Sequence, residues 1–164
     1  MGRARGCDPD RHDLAGAAGG EPEAADGGPG FLLWRAANLW QRGVRAALAP
    51  SGLTHAQFAL LLAVCRLGRG GAPVTQARLA THAGTDQMMT SQVVRVLARR
   101  GLVARRRHPA DARAVVVAAT PRGRAQAARA LRLVAAHDAA FFATAGRHAA
   151  VLQHLLRGLL SDAE

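Results

Sequence analysis

Tyrosine and lysine are absent from the 164 residues, cysteine occurs twice, and aromatic residues make up only 4%. Each shortage narrows what the chain can be. With so few aromatics, the core must be built mostly from Leu, Val and Ala, and Leu and Ala favour helices. Cys7 and Cys65 cannot form a disulfide framework, and nothing has zinc-ribbon spacing. The opening MGRARGCDPDRHD lacks an apolar signal core. The stretch 31–48 is broken by Arg35, Arg42 and Arg45, which excludes a simple membrane span. The expected location is the cytoplasm, with no membrane partner. Acids are scarce after residue 30, where only Asp86, Asp111, Asp138, Asp162 and Glu164 remain. No paired carboxylates, Ser–His–Asp set or Cys–His set stands out, so the chain is not read as an enzyme.

What is present is positive charge, unevenly placed. All 22 basic residues are arginine. Residues 1–30 carry three arginines against six acids, whereas residues 75–132 carry twelve against Asp86 and Asp111. A basic block of this kind is the footprint of a phosphate-binding surface.

Residues 1–30, rich in Gly, Ala, Asp and Pro, read as a disordered tail. Residues 31–164 read as one mainly α domain with a small β-hairpin. A first helix is expected over 31–49, stopped by Pro50-Ser51-Gly52. Thr54 and Gln57 have capping-box spacing, with Leu53 as the staple, and open a second helix that is buried on most sides. Val74-Thr75 leads into a short third helix over 76–82. A fourth runs from about 85 to 100, with Gly101 as its cap. The period then changes. Leu102-Val103 and Val115-Val116-Val117 read as two strands around a polar stretch containing Pro109. Thr120-Pro121 restarts a helix to about 144, and a last helix spans about 147–160. Two short helices joined by a tight turn and followed by a basic hairpin make a winged helix-turn-helix.

On a helical wheel, Met89, Val93, Val96 and Leu97 fall on one face and Gln87, Ser91, Val94, Arg95 and Ala98 on the other, with Met88 and Thr90 at its edges. The second face is short-chained and carries one charge. A helix in the major groove needs compact groups near base edges, where Gln can pair with adenine and Arg with guanine. Gln87, Met88, Thr90, Ser91 and Arg95 are therefore the candidate base contacts, with Thr75 added at the start of the preceding helix. In the hairpin, Arg105, Arg106 and Arg107 supply charge without a core role and can enter a narrow minor groove. Asp111, two residues before Arg113, reads as a brace for an arginine rather than a metal ligand.

These residues resemble the MarR family of bacterial regulators. The matching text is LTHAQFALL at 53–61, DQMMTSQVVRVLARRGLVARRRHPADAR at 86–113 and ATPRG at 119–123. The resemblance implies a homodimer in which the first and last two helices interlock, 31–52 and 121–164, around a DNA-binding lobe at 53–120. It implies that Asp111 braces Arg113 for the minor groove, although Ala112 stands where many relatives carry a basic residue. It also implies repression of transcription at a palindromic double-stranded DNA site. Release follows binding of a small, often aromatic or anionic, ligand between the dimer helices and the lobe. Trp34, Phe58 and Leu61 are the candidate pocket residues.

Apolar residues that the lobe does not need, including Phe31, Leu131, Phe141, Leu152, Leu155 and Leu159, also argue for a dimer, since together they exceed a tolerable exposed patch. Neither metal nor cofactor is expected: His148 and His154 are six apart and do not share a helix face as neighbours, and Cys65 reads as a packed small hydrophobe. Two competing readings are a DNA-binding regulator or architectural protein without a ligand, and a metal- or thiol-responsive sensor.

Overall fold

The computed structural model describes residues 27–108, 110–111 and 114–161. The chain divides into two compact units, Met1–Asn38 and Leu39–Glu164, with the boundary inside the first helix. Helix α1 spans Pro29–Leu48, two residues earlier than the sequence pattern suggests. Proline fits there because the first turn needs no N–H from it. Within the first unit, Phe31 stacks on Trp34 at 5.7 Å and Arg35 lies 5.8 Å from the Phe31 ring centroid. The expected tail falls mostly outside the described residues.

In the second unit, α2 spans His55–Leu67, α3 Gln76–Ala83 and α4 Gln87–Arg99. Strands β1 (Val103–Arg107) and β2 (Val115–Ala119) pair antiparallel, with Val103 opposite Ala119 and Arg107 opposite Val115. Helix α5 spans Pro121–Phe142 and α6 Ala149–Ser161, separated by a 3-10 segment kinked at Gly146. The architecture is a winged helix-turn-helix with long flanking helices. Among the described residues no single helix is long and apolar enough to cross a membrane.

Side chains set the helix starts. Thr54 accepts from the Gln57 amide while the Gln57 side chain accepts from Thr54, each at 3.3 Å. Thr75, Asp86 and Thr120 accept from the amides of Arg78, Met89 and Gly123. Each such cap contributes about 1 kcal/mol. Gly84 and Gly101, with φ of 59° and 69°, let the chain leave α3 and α4 in the left-handed region that other residues avoid.

Phe58, Leu60, Leu61 and Val64 of α2 are buried against Leu79, Val94, Leu97 and Val117. Burial of each such side chain stabilises by roughly 1.5–3 kcal/mol. The wing is tied to this core: the Val117 amide donates to the Val74 carbonyl at 2.8 Å, and Thr75 bridges to Val116. At the base of the wing, the Thr120 amide donates to the Leu102 carbonyl at 3.1 Å and its hydroxyl donates to the Gly101 carbonyl at 2.8 Å. Gly123 of α5 sits so close to that carbonyl that a Cβ there would overlap it.

Candidate nucleic-acid interface

The cap at Asp86 fixes the phase of α4. Gln87, Met88, Gln92, Arg95 and Arg99 are exposed, Met88 to 73%, while Met89 and Ser91 are half-buried. Arg95 donates from Nη2 to the Ser91 hydroxyl at 3.0 Å. That bond holds a long side chain along the helix surface before any ligand arrives. Among the expected contacts, Gln87, Met88 and Arg95 therefore lie open, with Ser91 beneath Arg95.

Thr90 is a correction. It is fully buried, and its hydroxyl is bonded to the Asp86 carbonyl at 2.9 Å and to Thr85 at 2.8 Å. It cannot reach a base edge. Val94, placed outward by the wheel, is also fully buried. The inward stripe runs Thr90–Val94–Leu97, flanked by Val93 and Ala98, not Met89–Val93–Val96–Leu97. A threonine can occupy the core face here because its own helix and its neighbour satisfy the hydroxyl. The wheel missed Gln92, which shares the exposed face with Met88 and Arg95.

Thr75, Gln87 and Asp111, chosen separately from the sequence, line one hollow between the starts of α3 and α4 and the wing, with a volume of about 430 Å³. The Thr75 hydroxyl serves first as the α3 cap. Gln76 lines the same hollow, and its buried Nε2 has no hydrogen-bond partner among the described residues. No sequence pattern marks Gln76, because its position depends on how α3 meets the wing.

Arg105, Arg106 and Arg107 are all exposed on β1. The strand pleat sends Arg106 to the opposite face from the other two, so they are not equivalent. At the tip, the Ala114 amide donates to the Asp111 carbonyl at 3.0 Å, and the Ala110 amide donates to His108 Nδ1 at 3.2 Å. His108 is thereby part of the turn. Arg113 lies outside the described residues.

The MarR family model matches residues 51–114, the stretch containing α2, both helices of the helix-turn-helix and most of the hairpin. The uncharacterised HTH-type transcriptional regulator YdcH of Bacillus subtilis is 44% identical over 117 residues, which is 71% of this chain and 80% of YdcH. This chain belongs to the MarR family. The HTH-type transcriptional repressor Rv2887 of Mycobacterium tuberculosis is 37% identical over 70% of this chain and 81% of its own length. Among solved structures, the transcriptional repressor CouR bound to a 23-mer DNA duplex matches with a TM-score of 0.73 and 30% identity, covering 90% of this chain and 100% of CouR. CouR from Rhodococcus jostii bound to p-coumaroyl-CoA matches with a TM-score of 0.70 and 31% identity, over 82% and 90%.

Two expected ligand residues of this MarR-family chain, Phe58 and Leu61, need correcting too. Phe58 and Leu61 are buried members of the packed core, while Trp34 is 62% exposed. What α2 does border is a hollow one to two turns further on, at Leu62 and Cys65. Nearer its start, His55 packs edge-on to Trp40, whose indole N–H donates to Asp138 at 2.7 Å. Burial pushes the His55 imidazole below its ordinary range, and Asp138 partly offsets this.

Helix α6 has no buried residue, and Val151, Leu152, Leu155, Leu159 and Leu160 all stand exposed. Among the described residues no three of His, Cys, Asp and Glu converge to hold a metal ion.

Proposed function

We propose that this chain is a cytoplasmic, homodimeric, sequence-specific repressor of transcription, released from a palindromic site by a small ligand, and that it is not an enzyme. The observation that carries the reading is the exposed face of α4. Gln87, Met88, Gln92 and Arg95 stand together beside an arginine-bearing strand, and the one acid at the start of α4 is engaged as its cap. In this reading α4 enters the major groove, with Met88 suited to a thymine methyl and Arg95 to guanine. The wing follows the adjacent minor groove, with Arg113 presented by Asp111. The exposed leucines of α6 join their counterparts in a second copy, which removes an apolar surface that a monomer would leave in water. Residues 53–120 form the DNA-binding lobe, and 31–52 with 121–164 the dimerising segments. Similarity to CouR, which has structures with a DNA duplex and with p-coumaroyl-CoA, supports both the partner and the kind of control.

Selection from random duplexes tests this. The expected product is a palindrome, and light scattering should give a dimer mass. Arg95→Ala should lose preference at one base pair of each half-site, at a cost of roughly 1–3 kcal/mol. Arg106→Ala should weaken all duplexes alike and reduce the salt slope. Enrichment of no duplex, or a monomer at micromolar concentration, would overturn the reading.

A further inference from the structure

Two kinds of contact hold α4 to the rest of the lobe. Val94 and Leu97 are buried in the core with α2, and such packing resists separation but prefers no direction. A directional tie stands at the other end from Gln87 and Met88. Arg100, half-buried as the C-terminal cap of α4, donates from Nη1 to the Gly52 carbonyl and to Gln57 Oε1, each at 2.9 Å. These acceptors lie 48 and 43 positions earlier in the chain.

The acceptors belong to the turn between α1 and α2 and to the first turn of α2. That turn is itself fixed. Ser51, 6% exposed, donates from its hydroxyl to the Leu48 carbonyl at 2.6 Å and accepts from the Leu53 amide at 3.2 Å. Two successive carbonyls then take two different helices: Ser51 accepts from Gln126 Nε2 of α5 at 2.6 Å, and Gly52 accepts from Arg100. Gln57 Oε1 also accepts from the Thr54 amide, so the cap of α2 and the end of α4 share one oxygen. The passage from α1 into the lobe is thereby gripped at adjacent peptides by α4 and by α5.

We propose that Arg100 is a positioning residue that fixes the tilt of α4 against the α1–α2 turn, and so selects the spacing between the two half-sites of the DNA. The spacing half rests on the repressor reading above, whereas the tether half does not. Helix α4 has 13 residues and is about 20 Å long. A swing of about 10° around its Arg100 end carries Met88 sideways by about 3.4 Å, one base-pair step. Two copies of α4 in one dimer have to enter the major groove at a fixed separation. A swing of that size is enough to blur one spacing into the next. Arg100 prevents it without touching a base.

Two measurements on the full chain test this. In the first, Cys7 and Cys65 are changed to serine and nitroxides are placed on Ala49→Cys and Met88→Cys, both exposed positions. Dilution with an excess of unlabelled chain confines each spin pair to one protomer. The distance distribution should be narrow without further change, and Arg100→Gln should broaden it by about 3 Å, the swing of α4 through about 10°. The second measures affinity for the selected palindrome and for versions with one base pair added or removed at its centre. The natural chain should bind the altered spacings at least about tenfold more weakly, as a half-site that loses contacts at a base pair would. Arg100→Gln should bring that ratio below about threefold while the bases preferred in each half-site stay the same. Arg100→Lys, whose ammonium still offers three donors, should restore both the narrow distribution and the ratio. Arg99→Gln removes the same charge from an exposed neighbour and should weaken all spacings alike. A distribution left narrow by Arg100→Gln would overturn the proposal, and so would a broadened one with the spacing ratio intact. Broadening in a chain that selects no palindrome would uphold the tether and refute the repressor reading.

Discussion

Thr90→Val separates a base-reading side chain from a core one. The substitution keeps the β-branched shape and removes a hydroxyl that makes two hydrogen bonds, at 2.9 Å to the Asp86 carbonyl and 2.8 Å to Thr85. A typical bond of this kind contributes about 0.5–1.5 kcal/mol net. The Asp86 carbonyl keeps the Thr90 amide as a donor at 3.0 Å, so it is not stranded. The Thr85 hydroxyl does lose a partner. Against this, the new methyl buries apolar area worth about 0.8 kcal/mol. The expected net loss is about 1 kcal/mol. It should appear as a lower urea midpoint with an unchanged slope, measured at fixed protein concentration because dimer stability depends on it. The selected half-site should be the same as for the natural chain, whereas Gln92→Ala should change it. A Thr90→Val protein with full stability and an altered base preference would refute the argument and return Thr90 to the DNA-facing set.

Three further outcomes follow from the same geometry. Gly123→Ala places a Cβ on the Leu102 carbonyl, which is backbone already held by Thr120, so it should cost at least about 1–3 kcal/mol and lower the melting temperature; an unchanged melting temperature would show that α5 shifts freely on the lobe. His55 has its folded pKa depressed by burial below the ordinary 6.5, so the unfolded chain binds the proton more readily. Stability is then fully present above 6.5 and falls as pH drops towards the folded value; His55→Gln should flatten that fall in urea midpoints measured across a pH series, and an identical pH dependence would remove His55 as the cause. Asp111→Ala tests the wing brace by sign: loss of an acid should tighten DNA binding on charge alone, whereas loss of a brace should weaken specific binding with little change in melting temperature. Tighter specific binding would reduce Asp111 to an ordinary loop acid.

The element order was legible because each boundary carries a local chemical mark. Thr54 with Gln57, Thr75, Asp86 and Thr120-Pro121 announce helix starts through hydrogen bonds spanning three residues, and Gly84 and Gly101 announce ends through a conformation that other residues avoid. Such signals need no tertiary information. Gln76 illustrates the opposite case. Its place in the hollow with Thr75, Gln87 and Asp111 comes from α3 and α4 meeting the wing, which is far from both helix starts in sequence. The expected ligand residues failed for a related reason. Phe58 and Leu61 have the right chemistry for a pocket, but α3, α4 and β2 fill the space around them with Leu79, Val94, Leu97 and Val117. A hollow is left further along α2, where Leu62 and Cys65 border it.

The error over Thr90 shows how finely α4 has to be set. Successive residues on a helix differ by about 100° in direction, so a change of one position in phase exchanges a buried residue for an exposed one. Apolarity alone chose Met89 for the core over Thr90, because it assigns a hydroxyl no way to be buried. The cap resolves the ambiguity. Asp86 accepts from the Met89 amide at 2.8 Å, which makes Gln87 the first helical residue. Its carbonyl then takes both the amide and the hydroxyl of Thr90, turning that side chain inward. With Thr90 inward, Val94 and Leu97 follow into the core, while Met88, Gln92 and Arg95 are left facing water. An acid inside a basic block should repel phosphate, and by charge alone Asp86 is misplaced. Its function is geometric: a cap contributing about 1 kcal/mol also decides which side chains of α4 stand exposed.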